Sequence, residues 1–348
     1  MAGSQFGKIF HISTFGESHG KALGVVVDGC PAGLSLSEED IQEMLERRRP
    51  GKNLKMTQRK EGDKVEILSG IFEGKTTGTS IAMVVWNEDQ RSKDYGEIAH
   101  AFRPGHADYG FFAKYGFRDY RGGGRSSGRE TIARVAAGAI AKKMLLELGV
   151  SVRAKVIELA GISLTEDRQK AELLAEQKIL SLREQGDSAG GVVECLVEGL
   201  PAGIGEPVFD KLDASLAKAV MSIGAVKSVE IGDGIEVSKS LGSENNDAYE
   251  VRNGFVVPTT NHAGGILGGI STGAPIWFKC ALKPISSIGL PQHSVNLQTM
   301  EPEQLVVQGR HDVTAVLRAV PCIESAFALA LLDTLYSWPS EQNGNHND

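Results

Sequence analysis

Glycine is concentrated where this chain must turn or leave room. Gly122, Gly123 and Gly124 stand in succession, and four more glycines fall within the six positions 264–269. In all, glycine fills 42 of 348 positions, roughly 12% where about 7% is usual. No G-X-Y period accompanies it and proline occurs only 12 times, which excludes collagen. A residue without a Cβ permits left-handed backbone and close approach of main chain to a ligand. The excess therefore implies tight turns and sites lined by backbone. At 41% hydrophobic and 23% charged the chain is globular rather than disordered. Its length allows two domains or one large one, with ample core. No repeat, linker or shift of composition divides it, so one domain over 1–338 and a disordered tail over 339–348 are expected.

Charge is distributed unevenly. The net charge is −7, against a generic nucleic-acid binder. Yet 47–60 carries seven basic residues and no acid, and 103–134 carries six Arg and Lys114 against three acids. These islands hold +11 together, so the remainder holds −18. A basic site on an acidic body suits a small polyanion, and arginine offers a planar fork for carboxylate or phosphate. A solvated run of surface charge is the plainer reading of 47–60.

Cys30, Cys195, Cys280 and Cys322 are scattered without a CxxC pair, which argues for reduced, packed thiols. No apolar run reaches the ~18 residues of a membrane span. The opening MAGSQFGKIF lacks the basic and apolar stretches of a signal peptide. A cytoplasmic protein with no membrane partner is expected.

Residue patterns predict mixed α and β structure. GVVVD (24–28), VEILS (65–69), IAMVVW (81–86) and IWFKCAL (276–282) read as strands. Ser37 before Glu38, Glu39 and Asp40 predicts an N-cap, with Pro50-Gly51 as the stop. Residues 129–148 predict a helix with Ala and Gly on a closely packing side. Further helices are predicted over 165–187 and 323–337, and one through Phe209, Leu212, Leu216 and Val220, started by Glu206-Pro207.

Several segments carry chemistry. Gly16-Glu-Ser-His-Gly20 matches G-x-S-x-G, but only 15 residues precede it and a strand follows, against a nucleophile elbow. His19 on a glycine-flanked turn is then the candidate group. Gly70 to Thr76 resembles a P-loop with one residue too few, and reads as a hairpin turn. Arg103-Pro-Gly-His106-Ala-Asp108 leaves Arg, His and Asp on a constrained loop, the histidine either a proton donor or simply paired with Asp108. Arg121-Gly-Gly-Gly-Arg125-Ser126-Ser127-Gly-Arg129 joins glycines and donors to a helix start, which favours an anion. A single copy in an acidic chain speaks against an RGG-type RNA segment. Asn261 to Gly269 is glycine-rich without GxGxxG, Lys283 to Ser287 adds donors, and Arg310, Asp312 and Arg318 add another charged cluster. Spacing of the HExxH kind is absent, so no metal is expected.

Taken in order, TFGESHG (14–20), RRRPG (47–51), FRPGHADY (102–109), RDYRGGGRSSGRET (118–131), EPVFDKLDA (206–214), VEIGDG (229–234), NHAGGILGG (261–269), KPISS (283–287) and GRHD (309–312) closely resemble the chorismate synthase family. The resemblance spans nearly the whole chain except 150–187 and the tail. It implies an α+β fold, a β-α-β sandwich of mixed, mainly antiparallel sheets around helices, assembled as a homotetramer. The implied reaction is the anti 1,4-elimination of phosphate from 5-enolpyruvylshikimate 3-phosphate, giving chorismate in the shikimate pathway of aromatic amino acid biosynthesis. It needs reduced FMN without net redox change. A non-catalytic flavin- or anion-binding protein on the same scaffold is the competing class, and the presence of both histidines argues against it.

The resemblance also implies roles. His19 would protonate the departing phosphate, His106 would sit by the flavin, and Asp312 would take part in proton transfer there. Arg49, Arg103, Arg129 and Arg318 would hold substrate anions. Arg125, Ser126, Ser127, Gly224, Ala225, Gly268, Lys283, Pro284, Ile285, Ser286, Ser287 and Arg310 would bind FMN. Arg48 is linked in the family to NADP, but Leu54 stands where a further arginine is usual, which counts against NADPH. Gly224 and Ile285 replace Asn and Thr, removing side-chain donors near the flavin. No insertion could add a reductase, so reduced FMN is expected from a separate flavin reductase.

Overall fold

The computed structural model describes residues 3–49, 62–87, 99–307 and 312–337. The expectations attached to Pro50-Gly51, Leu54, Arg310 and the tail lie outside these residues, as does most of the first basic island.

The first half of the chain builds one sheet. Strands β1 (Gln5–Phe6), β2 (His11–Gly16) and β3 (Ala22–Asp28) precede β4 (Ala32–Ser35) and helix α1 (Glu38–Arg48). Then come β5 (Val65–Ile67), the hairpin of β6 (Ile71–Phe72) and β7 (Lys75–Thr77), and β8 (Ile81–Trp86). The sheet order is β1-β2-β3-β8-β5, antiparallel throughout. Leu23, Val25 and Val27 of β3 are fully buried, as a β-branched run requires of a central strand. At the start of α1 the Asp40 carboxylate accepts from the Ser37 backbone N–H at 2.9 Å.

Helix α2 (Asp108–Tyr115) and helix α3 (Thr131–Glu147) lead into β9 (Ser151–Leu159), β10 (Ile162–Ser163), α4 (Arg168–Gln185) and β11 (Gly191–Glu198). Helix α5 (Leu212–Met221) and β12 (Val226–Ile231) follow. After α6 (Gly242–Asn245), β13 (Tyr249–Arg252) pairs β14 (Phe255–Pro258), and β15 (Ile266–Leu267) pairs β16 (Ile270–Ser271). Next are β17 (Ile276–Leu282), the pair β18 (Gln292–Val295) and β19 (Pro302–Leu305), and α7 (Val316–Ser337). The second sheet is antiparallel, ordered β10-β9-β11-β17-β12.

Helices α1, α3, α5 and α7 fill the space between the sheets, with α3 against β2, β3 and β8 and α7 against β9 and β11. The chain is thus an α+β β-α-β sandwich. Phe278 of β17 stacks on Phe327 of α7 with centroids 3.9 Å apart. Helix α3 is buried on nearly every side because two layers cover it, and its Ala and Gly residues let α7 approach. At the crossing, a Cβ on Gly138 would lie 2.2 Å from the Ser325 Cβ. All four cysteines are buried and unpaired, and burial pushes the Cys30 thiol up to about 11 and Cys280 up to about 12. No described helix is long and apolar enough to cross a membrane.

Two predicted helix starts are displaced. Helix α5 begins at Leu212, leaving Phe209 outside it and 94% exposed. The Leu212 N–H is held by the Gly269 carbonyl at 2.9 Å, so the chain cannot coil earlier. Helix α7 begins at Val316 rather than 323 and runs through Pro321. A proline there removes a single i→i−4 bond near the helix start, and the buried face of the helix outweighs that loss. Strands β9, β11 and β12 escaped the sequence reading. The strict in-out alternation of GVVECLVE in β11 was the available signal, obscured by its two glutamates.

Candidate active site

Three loops converge from distant parts of the chain. The first is the turn between β2 and β3, which carries His19. Gly16 turns it at φ +88°, and β3 follows directly, so no nucleophile elbow exists here. Asn87, just after β8, donates from Nδ2 to the carbonyls of Glu17 (3.0 Å) and Gly20 (2.8 Å), pinning both ends of the turn. The Ser18 hydroxyl contacts His19 Nδ1 at 3.1 Å.

The second loop runs from Arg103 to Asp108, at the start of α2. Arg103 grips Asp108 with two nitrogens, Nε to Oδ2 at 2.8 Å and Nη2 to Oδ1 at 2.9 Å. His106 Nδ1 lies 2.9 Å from the same Oδ1. Arg118 Nη1 approaches it at 3.5 Å. Burial opposes charge on Asp108, but the hydrogen bonds from Arg103 and His106 and the nearby positive charge prevail. They hold its carboxyl well below the usual carboxylate range. The pairing of His106 with Asp108, open in the sequence, is therefore present.

The third loop is the glycine triplet, and it touches both histidines. A Cβ on Gly122 would stand 2.3 Å from His19 Cε1, and one on Gly123 would stand 2.9 Å from His106 Cε1. All three glycines have positive φ, at 65°, 85° and 52°, so the triplet needs glycine for its backbone as well as for the space. Ser126 Oγ donates back to the Gly123 carbonyl at 2.7 Å, and the Ser127 hydroxyl accepts from Arg129 N at 3.3 Å. Arg125 donates to the Gly16 carbonyl (3.2 Å) and Thr14 Oγ1 (2.6 Å), and it meets no acid among the described residues.

Two buried carboxylates anchor the arginines of this region. Asp63, fully buried and at φ +43°, pairs through Oδ2 with Arg48 (3.0 Å) and through Oδ1 with Arg129 (2.9 Å). Arg129 also donates to Asn87 Oδ1 at 2.7 Å, tying the α3 start to the His19 turn. Asp108 likewise faces Arg103 and Arg118. Among the described residues, each of these two buried acids thus meets two guanidiniums.

The 283–287 segment closes the arrangement. Lys283 Nζ donates to the Gly105 carbonyl, Arg103 Nη1 reaches Ser287 Oγ at 3.4 Å, and Lys283 N donates to the Ala225 carbonyl at 2.9 Å. The Ile285 carbonyl accepts from Ser188 Oγ at 2.7 Å. Hence the 103–108 loop, 122–127, 225 and 283–287 form one contiguous region.

Other residues sit differently. Arg48 is buried, donating from Nε to Thr131 Oγ1 (2.9 Å) and from Nη2 to the Gly128 carbonyl (3.3 Å), so it serves as an internal strut. Arg49 caps the C-terminal end of α1 and pairs with no described acid. Asp312 pairs with Arg318, which donates to the Arg48 carbonyl at 3.3 Å. Among the described residues Asp312 touches neither histidine and is linked toward them through Arg318, Arg48, Asp63 and Arg129; its Oδ1 is buried without a described partner. Gly224 has open space around its Cα. Gly268 lies in the β15–β16 turn beside Gly269, which is tied to the start of α5, and nothing described joins it to the histidines. Asp63 and Asn87 were missed in the sequence, where neither stands in a recognisable motif.

A family model described as chorismate synthase matches residues 10–336. A chorismate synthase of Lachnospira eligens is 55% identical, covering 97% of this chain and 96% of its own. One of Methanosarcina barkeri is 52% identical over 96% of each. A crystal structure of a chorismate synthase superposes with a TM-score of 0.75 at 30% identity, covering 95% of this chain and 93% of the other.

Proposed function

The chain belongs to the chorismate synthase family, and we propose how its own residues divide the labour of that family's reaction. The enzyme is a lyase of the shikimate pathway, converting 5-enolpyruvylshikimate 3-phosphate into chorismate by anti 1,4-elimination of phosphate, with reduced FMN and no net redox change. The substrate carries two carboxylates and a phosphate, which accounts for two basic clusters on an acidic protein.

The donor set fits the flavin nucleotide. Among the described residues Arg125 has only neutral partners, the glycine triplet puts no side chain of its own beside the two histidines, and hydroxyls of Ser126, Ser127, Ser286 and Ser287 lie along the same region. These residues, with Lys283, Pro284, Ile285 and Ala225, would hold FMN; Gly224 adds backbone alone. Reduced FMN, when held there, would supply the transient electron density that the loss of phosphate and ring hydrogen requires.

His19 then protonates the leaving phosphate, with Ser18 against Nδ1 orienting the ring. Arg49, Arg129 and Arg318 bind substrate anions, and His106 stands at the flavin with its Nδ1 on Asp108. Asp312 acts at a remove, through Arg318. The contact of both histidines with adjacent glycines carries the reading. It further implies a single 1–338 domain, a homotetramer in the cytoplasm, and a separate flavin reductase. The buried, fully engaged Arg48 supports the expectation against NADPH.

The test is an anaerobic assay with 5-enolpyruvylshikimate 3-phosphate and dithionite-reduced FMN. Chorismate and phosphate should appear in equal amounts. Absence of both rejects the reading.

A further inference from the structure

Asp108 is buried, ionised and in contact with His106, yet neither substrate nor flavin needs it directly. We propose that Asp108 is a positioning residue that holds His106 in its Nδ1–H tautomer, leaving Nε2 as the nitrogen offered to the reactants. This rests on the reading of His106 as the group beside the flavin.

The geometry leaves little choice of tautomer. Three atoms form a tight triangle: His106 Nδ1 to Asp108 Oδ1 is 2.9 Å, Arg103 Nη2 to the same Oδ1 is 2.9 Å, and Arg103 Nη2 to His106 Nδ1 is 3.1 Å. With a hydrogen on Nδ1, both nitrogens donate to one carboxylate oxygen, and the 3.1 Å Nη2–Nδ1 approach is that of two donors sharing it. With Nδ1 bare, its lone pair faces a charged oxygen at hydrogen-bond distance with no proton between them. The second Nη2 hydrogen of Arg103 can reach a bare Nδ1, but it leaves the 2.9 Å Nδ1–Oδ1 contact without a proton. In a site where Asp108 is 2% exposed, that arrangement is repulsive and poorly screened.

The carboxylate is itself held at both oxygens. Its Oδ2 accepts from Arg103 Nε at 2.8 Å and from the Arg103 backbone N–H at 3.2 Å, and Asp108 opens helix α2. Gly123 lies beside the Cε1 edge of the imidazole, where an added Cβ would come within 2.9 Å of the ring. Arg103, expected to bind substrate, is mainly engaged here: Nε and Nη2 hold Asp108, and Nη1 reaches Ser287 on the cofactor segment. The pair therefore sets the orientation of His106 relative to 283–287.

The test is long-range nitrogen–proton NMR on histidine-labelled enzyme, with His106→Ala identifying the signal. Neutral His106 in the intact enzyme should carry its proton on Nδ1. Asp108→Asn should shift that proton toward Nε2 and lower kcat about tenfold or more, with KM for the substrate changed less than about threefold. A proton on Nε2 in the unaltered enzyme overturns the proposal, and this measurement decides even where the variant does not fold. So does a folded Asp108→Asn enzyme with near-normal kcat. Failure of the functional reading looks different: the unaltered enzyme then makes no chorismate, whatever the tautomer.

Discussion

Glu324, midway along α7, meets Arg47 at the end of α1 oxygen for nitrogen: Oε2 to Nη1 is 2.7 Å and Oε1 to Nη2 is 2.8 Å. Lys142 of α3 joins the same carboxylate, and the Ala154 N–H of β9 donates to it at 3.0 Å. One buried acid therefore ties three helices to the second sheet.

Glu324→Gln strands two cations around a neutral amide. A broken buried pair costs about 3–5 kcal/mol, and partial exposure of Arg47 and Lys142 places this one near the lower end. Burial opposes the Glu324 charge, but the Arg47 hydrogen bonds and the Lys142 charge outweigh it and lower its pKa below the ordinary value near 4.5. A carboxyl whose native pKa is depressed contributes fully above its unfolded pKa and loses that contribution as pH falls through the native value. Denaturant midpoints of the two proteins should differ most at pH 7 and draw together in acid. A gap that widened on acidification would contradict this account.

Gly138→Ala should destabilise by about 1–3 kcal/mol, because the added methyl falls inside the Ser325 side chain at the α3–α7 crossing. Thermal unfolding gives the loss. Activity per folded molecule should be retained, since the crossing lies within the helical layer and away from the histidine loops.

Gly122→Ala places a methyl on the His19 ring and forces a side chain onto a φ of +65°. A displacement near 1 Å of a reacting group can cost on the order of 100-fold. Steady-state assays should show kcat falling by about that much, with circular dichroism unchanged. Normal turnover would mean that His19 acts from some other position.

His106→Ala should lose far more in kcat than in substrate affinity, since in this reading the ring serves the flavin rather than the substrate anions. Its contribution as a proton-handling group is on the order of 100-fold or more. Substrate titration under reducing conditions separates the two quantities, and a kcat within a factor of about two would remove His106 from the mechanism.

Local pattern made some elements legible and hid others. β3, β8 and β17 are runs rich in β-branched and aromatic residues, so local composition exposes them. In β11 the glutamates on the outer face break the apolar run, and pairing with β9 and β17 makes the strand plain. The α7 start was hidden because Pro321 reads as a helix boundary, while packing against α3 and β9 carries the helix past it.

Composition and spacing by themselves determined that this protein has turn-held histidines, glycine-lined loops and surplus arginine, because those properties reside in single residues and their immediate neighbours. Tertiary structure alone decided which arginines remain available. Arg48 meets Asp63 across 15 residues, Arg129 meets it across 66, and Arg48 reaches Thr131 across 83. Arg125 meets no acid at all among the described residues. The physical reason is range: backbone preference acts over a few residues of chain, whereas charge acts through space, and folding sets every distance on which it depends.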